Sequence, residues 1–181
     1  MIGTTKLTYE DLLTLPEDGK RYEILDGDLL VTPSPLTRHQ IISTNLVALL
    51  HGHVKRNALG IVVHAPTDVI LDAYTVLEPD ILYVQSSRAE IIQRHAIVGP
   101  PDLVVEILSA STAARDRGIK LKTYARFGIE HYWIIDPERN VLEAFSRTGE
   151  GYALDGTHAG NVVAHLAPFA DLALDLAEVW E

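Results

Sequence analysis

The sequence predicts an α/β domain built on one mixed β-sheet flanked by helices. Three observations lead there. The stretch 37–57 carries Ile41, Ile42, Leu46, Leu49, Leu50 and Val54 at near 3.6-residue spacing, the mark of a long amphipathic helix. Short apolar runs of strand length recur around Gly60–His64, 67–71, 80–84 and 102–108. Their order along the chain, helix, strands, helix, strand, strands, is that of an α/β domain.

Taken in order, Thr8 to Asp11 before Leu12 and Leu13 reads as a capped short helix that ends ahead of Pro16. Arg21–Leu25, then Asp26-Gly27, then Asp28–Thr32 is a hairpin signal of the Asp-Gly type. Pro33 and Pro35 break the chain before the long helix. After the strands at Gly60–His64, 67–71 and 80–84, residues 86–92 form a short helix or a capped turn. The strand at 102–108 leads through Ser109 to Thr112 into a helix reaching about Phe127, closed by Gly128. Strands at 131–135 and 141–145 flank the turn Asp136-Pro-Glu-Arg-Asn140. Short strand-like pieces follow, with a terminal turn or helix at 174–180. No repeat, low-complexity tract or linker interrupts the chain.

At 181 residues the chain is read as a single domain, 1–181, large enough to bury about two-thirds of its unfolded surface. Hydrophobic residues at 47% and charged residues at 22% are ordinary for a globular protein. No apolar run approaches the roughly 20 residues of a membrane helix, so no membrane association is expected. The first ten residues show no export signal, which makes the cytoplasm the expected location. Cysteine is absent, which excludes thiolate nucleophiles and Cys-based metal sites. The net charge of −10 argues against broad non-specific nucleic-acid binding but leaves room for a local basic groove.

The chemistry centres on two carboxylates. Glu106 stands inside the run Asp102-Leu-Val-Val-Glu-Ile-Leu108, where an unpaired charge costs roughly several kcal/mol unless it is paired or holds a metal. Asp80 stands at the mouth of another apolar strand, in Glu78-Pro-Asp-Ile-Leu-Tyr-Val84. Strand alternation puts Asp102, Val104, Glu106 and Leu108 on one face and Leu103, Val105 and Ile107 on the other. If Asp80 enters the neighbouring strand, its carboxylate meets that of Glu106, and the pair with a backbone carbonyl and waters suits Mg²⁺. The bland alternative is a strand cap at Asp80 and a core ion pair at Glu106.

In the following helix Asp116, Lys120 and Tyr124 stand at i, i+4 and i+8, on one face. Ile119, Thr123 and Phe127 lie on the same stripe, which suggests that this face looks toward the sheet, while Lys122 points elsewhere. On spacing alone, Asp116 and Lys120 are more readily an exposed ion pair. The histidines show no trustworthy metal-ligand spacing, and His51 and His53 point to different helix faces, so zinc is not expected.

These stretches resemble the Uma-two family of restriction-endonuclease-like proteins, a branch of the PD-(D/E)XK nuclease superfamily. The likeness rests on the Asp80 and Glu106 runs and on Ser111-Thr112 with Asp116, Lys120 and Tyr124. It extends through Gly128-Ile-Glu-His-Tyr-Trp-Ile-Ile-Asp-Pro137, Tyr22 to Asp28 and Arg38-His39-Gln40, covering roughly residues 5 to 175. It implies a restriction-endonuclease-like core with a central mixed sheet, and a Mg²⁺-dependent endonuclease, with Mn²⁺ as a substitute. In that reading Asp80 and Glu106 are catalytic metal ligands and the Ile107 carbonyl is a further ligand. The superfamily's usual Glu-x-Lys would put lysine at 108, where this chain has Leu108; the resemblance moves the catalytic cation to Lys120. Such a lysine orients the attacking water or stabilises developing charge on phosphorus. Glu23 resembles an acidic position that accepts a metal-bound water, or is simply an alternating polar residue of the hairpin. His39 faces a phosphate or assists the nucleophile, or is a surface or capping residue. Asp116 and Tyr124 are read as positioning Lys120.

Arg115, Arg117, Lys120, Lys122 and Arg126 crowd one helix, and this gives an expected local positive field for a nucleic-acid backbone, DNA first. A homodimer is expected if both strands are cut. Two readings compete with the nuclease: a catalytically degenerate nuclease fold that binds nucleic acid or protein, favoured by Leu108 and the charge, and a two-carboxylate glycosidase. With aromatic residues at 7% the glycosidase ranks last.

Overall fold

The computed structural model describes residues 6–181; the N-terminal stretch read for an export signal lies, at 1–5, outside the described residues. Thr8 N donates to Asp11 Oδ2 at 2.8 Å and starts helix α1, Tyr9–Leu12, as the sequence predicts. Strands β1, Arg21–Leu25, and β2, Asp28–Thr32, pair with Leu25 opposite Asp28. Their two-residue turn puts both Asp26 and Gly27 at positive φ, 53° and 92°, the twist a tight hairpin requires. Helix α2, Thr37–Arg56, buries His39, Ile42, Leu46, Leu50, His53 and Val54 along one stripe. Ile41 lies outside it, 39% exposed.

Beyond α2 the chain forms β3, Gly60–His64, β4, Val69–Asp72, β5, Thr75–Leu77, and β6, Ile81–Gln85. A 3₁₀ turn, Ser86–Ile91, leads to β7, Ile97–Val98, and β8, Leu103–Ile107. The segment after β8 departs from the single helix expected there. It comprises α3, Ala113–Arg115, a π-helical turn, Asp116–Lys120, and α4, Leu121–Arg126. The wider turn advances each residue through a smaller angle than an α-helix does. Asp116, Lys120 and Tyr124 thus stay on the buried side, while Ile119, expected beside them, is 47% exposed. Strands β9, His131–Asp136, β10, Val141–Thr148, β11, Gly151–Ala159, β12, Val163–Leu166, and β13, Phe169–Asp175, precede α5, Leu176–Trp180.

The central sheet is mixed, in the order β11-β10-β9-β8-β6-β3, and only β8 and β9 run parallel in it. The expected single sheet is joined by two more: a five-stranded one, β2-β1-β5-β4-β7, and the ribbon β12-β13. β5 and β7 span three and two residues, too few to carry an alternation in the sequence. Leu103, Val105 and Ile107 turn one face of the central sheet to α2, α5 and the ribbon, in a core with Ile42, Leu46, Trp133 and Phe169. Val104 and Leu108 turn the other face to α4 and the second sheet, against Tyr124, Leu25 and Leu77. Glu106 lies on this second face, as strand alternation predicts.

The β6–β8 pair is clasped at both ends by aspartates. Asp80, just ahead of β6, accepts from Ile107 N at 2.7 Å, and Asp102, just ahead of β8, accepts from Gln85 N at 2.8 Å. Each also holds an arginine, Arg21 and Arg88 respectively, both at 2.9 Å. No described helix is long and apolar enough to cross a membrane.

Candidate active site

The antiparallel register Ile81↔Val105 sets Asp80 opposite Glu106 across the ends of β6 and β8. Residues directly opposite share a sheet face, with Cβ atoms about 5 Å apart. Both carboxylates line one cavity of about 240 Å³, together with Arg21, His39, Ile107, Asp116 and Lys120. The Pro33–Pro35 break and the start of the segment after β8 form its rim.

Asp80 is 3% exposed and fully engaged. Oδ1 accepts from Arg21 Nη1 at 2.9 Å; Oδ2 accepts from Ile107 N at 2.7 Å and meets His39 Nε2 at 3.2 Å. Burial pushes its pKa up, but the His39 hydrogen bond and the charges of Arg21 and His39 outweigh it and hold the carboxyl below its usual range. His39 is therefore neither a surface nor a capping residue. It is buried, and its Nδ1 has no hydrogen-bond partner among the described residues.

Glu106, also 3% exposed, accepts at Oε1 from Lys120 Nζ at 2.9 Å and from Tyr124 Oη at 2.6 Å. Lys120 Nζ lies 2.7 Å from Glu23 Oε1 and 3.9 Å from Asp116 Oδ1. Burial, then the negative charges of Asp116, Asp80 and Glu23, push Glu106 up to about 8 against the pull of Lys120. Burial also opposes the Lys120 charge, but Glu106, Glu23 and Asp116 win and raise its pKa. Both partners of one ion pair thus shift upward. Lys120 is charged and the Glu106 carboxyl retains its proton well above pH 4.5, because one ammonium is shared among three buried carboxyl groups, Glu23, Glu106 and Asp116.

The roles expected of the supporting residues change in detail. Tyr124 positions Glu106 rather than Lys120. Its hydroxyl reaches the carboxylate from α4, just after the π turn. Glu23 is 0% exposed and lies behind Lys120, accepting from Glu78 N at 3.0 Å; it is not among the cavity's lining. Ile107 lines the cavity and gives its amide to Asp80. Asp116 lines the cavity with Lys120. The basic helix is largely neutralised by partners far away in sequence. Glu143 and Asp136 hold Arg117, and Asp26 holds Arg126 at 2.6 Å, which leaves Lys122 exposed.

Sequence reasoning missed Arg21, which binds Asp80 and also Glu78 Oε1 at 2.7 Å, and Glu78 itself, pushed up to about 7 chiefly by burial. It also missed Arg115, which donates to Thr32 Oγ1 at 2.6 Å and lies 3.7 Å from Glu23. A signal for Arg21 existed: it shares a β1 face with Glu23, two residues on.

A mixed sheet whose adjacent strand ends carry an aspartate and a glutamate into one cavity, backed by a buried lysine, is the arrangement of a restriction-endonuclease-like fold. A family model described as "Uma2: Putative restriction endonuclease" matches residues 9–177, and the chain belongs to that family. Among solved structures it is similar to a protein of Anabaena variabilis ATCC 29413 described as "a putative nuclease belonging to DUF820". Identity is 19%, coverage is 96% of this chain and 97% of that one, and the TM-score is 0.78, a likeness of fold. Comparison with curated proteins gives no significant match.

Proposed function

We propose that the chain is a Mg²⁺-dependent endonuclease that hydrolyses phosphodiester bonds of nucleic acid, with DNA the expected substrate and Mn²⁺ an effective substitute. The observation that carries this reading is the cross-strand pairing of Asp80 with Glu106 at a cavity that Lys120 also lines. The donors fit a hard cation. Asp80 and Glu106 supply carboxylate oxygens, and Ile107 supplies a carbonyl at the same strand end. Local charge fits as well: the four acids Glu23, Asp80, Glu106 and Asp116 outnumber the three cations Lys120, Arg21 and Arg115, so Glu106 holds a proton where a dication would serve better. Bound there, Mg²⁺ would polarise a phosphoryl oxygen and acidify a water.

The chain's own residues do the rest. Lys120, fixed by Glu23 and kept charged by Glu106, Glu23 and Asp116 against the cost of burial, holds a positive charge at the cavity wall, where developing negative charge on the phosphoryl oxygens is stabilised. Tyr124 fixes the rotamer of Glu106. Arg21 and His39 fix Asp80 from two sides. The same pairing favours a second reading, a degenerate nuclease fold that binds without cutting. Both carboxylates already have cationic partners, and among the described residues no group of three or more His, Asp or Glu is arranged to hold a metal.

Calorimetric titration of Mn²⁺, followed by a cleavage screen on DNA and RNA, separates the readings. We expect binding to the wild type, its loss in Glu106→Gln, and cleavage abolished in Asp80→Asn and Glu106→Gln with far-UV circular dichroism unchanged. Undiminished cleavage by either pure variant overturns the assignment. Metal binding without turnover on any substrate favours the degenerate fold.

A further inference from the structure

A second cavity, of about 330 Å³, adjoins the carboxylate cavity and shares Leu36, His39, Ser109 and Ala110 with it as a common wall. The two differ in chemistry. Where the first is ringed by charge, the second joins apolar Leu108, Ala110, Ala113 and Pro137 to the charged Arg38, Asp136, Glu138 and Arg139. Leu36 stands between them, 72% exposed, the most exposed large hydrophobic side chain among the described residues. It follows Pro33 and Pro35, whose fixed φ angles limit how far the segment can fold back to cover it. An apolar side chain held out at the rim of a polar cavity, beside a partly apolar recess of small-ligand size, is a poor arrangement for stability alone.

We propose that this second cavity receives one unstacked nucleobase of the substrate, with Leu36 as the wedge that keeps it out of the base stack, so that the preferred substrate is single-stranded or locally unpaired nucleic acid. Apolar wedges inserted between base steps, and pockets that hold an extruded base, are the general means by which proteins take a base from its stack. The rim carries the charge such a strand needs. Arg139 is exposed and pairs with no carboxylate among the described residues. Arg38 donates to the Trp180 carbonyl and to Asn140 Oδ1, which fix the guanidinium without neutralising it. Of the two acids there, Asp136 accepts from the Glu138 and Arg139 amides at 3.2 Å and faces Arg117; Glu138 is exposed and opposes the phosphate. A phosphate between the cavities would have Arg38 and Arg139 on one side and the carboxylate site on the other. The inference rests on the nuclease reading and names the substrate form of that same site.

The test is fluorescence anisotropy with labelled DNA probes in Ca²⁺: a single strand, the matched duplex, and the duplex with one unpaired nucleotide. The wild type should prefer the single strand and the interrupted duplex over the matched one by roughly tenfold, the scale of one base–side-chain contact. Leu36→Ala, a change at an exposed site, should erase most of that preference. Arg139→Gln should weaken all three probes in proportion, as loss of a phosphate contact does. Equal affinity for matched and interrupted duplexes, or a preference that Leu36→Ala leaves intact, overturns the inference while the nuclease reading stands. No binding of any probe takes down the reading of the chain as a DNA nuclease and this inference with it.

Discussion

Lys120 is held as a charge in a place where charges are expensive. Its stem is buried, 1% exposed, and its ammonium stands between Glu23 and Glu106. Replacing it with methionine keeps the volume but leaves buried Glu23 without the ammonium it faces, beside a Glu106 that is largely protonated at pH 7, so Lys120→Met should cost about 3–5 kcal/mol. Urea unfolding at pH 7 reads this, and adding Glu23→Gln to the same chain should restore part of the loss. A loss below about 1 kcal/mol would show that the cluster relaxes to water. A related effect is expected in pH. In the metal-free protein Glu106 titrates near 8 and Glu78 near 7, both above an unfolded value of 4.5. The native state then holds more protons than the unfolded chain across that window, and stability falls as pH rises from about 4.5 to about 8. Lys120 and Asp80 change protonation outside the window, being shifted up from 10.5 and down from 3.8. With EDTA present the urea midpoint should be lower at pH 8 than at pH 5; a higher midpoint contradicts the cluster described. Glu106 was legible from strand alternation and Asp80 from its place at the mouth of a strand, whereas Lys120 came from the family resemblance, since its spacing from Asp116 alone favours a surface ion pair. Arg21 left only the weak signal of sharing a β1 face with Glu23; its partner Asp80 lies 59 residues away, and only the fold brings them together.

At the scale of elements, turn chemistry and long amphipathic stripes were readable, and short or irregular pieces were not. The Asp26-Gly27 hairpin and α2 follow from local rules. The π turn at Asp116–Lys120 leaves no local mark, because i, i+4 spacing fits it as well as an α-helix. Strand β3 shows how far a single position can matter. Gly60 has φ 152°, and a Cβ there would lie 2.1 Å from the Val84 carbonyl oxygen and 2.8 Å from Gln85 Cα. Gly60→Ala should therefore loosen the outer edge of the central sheet, at a cost of about 1–3 kcal/mol. Hydrogen exchange should quicken in β3 first and leave β8 and β9 protected; unchanged exchange at Gly60–His64 would mean that β6 shifts to accept the methyl.

At the scale of the whole molecule, the sequence led to the mixed central sheet but not to the second sheet packed on its face. That sheet depends on contacts such as the single β1–β5 register pair Ile24↔Val76, which no local pattern announces. The charge distribution, too, is settled by the fold. A helix that reads as basic has its arginines answered by Asp26, Asp136 and Glu143 from other elements. Few cations remain for phosphates on a chain of net charge −10. Nucleic-acid affinity should accordingly fall only gently with salt, with a slope of log K against log salt of about −2 to −3, two or three released counterions. A slope steeper than about −5 would place an additional basic surface on the molecule.

The aspartates at the two ends of the β6–β8 pair make a built-in control. Asp102 and Asp80 occupy mirrored rungs, each tying a backbone amide of the opposite strand and an arginine, yet only Asp80 opens onto the carboxylate cavity. Whatever Asp102→Asn does to the melting temperature measures what this clasp is worth as architecture. The excess loss seen at Asp80, in activity or in metal uptake, is then chemistry, divided from scaffolding by the molecule's own near-symmetry.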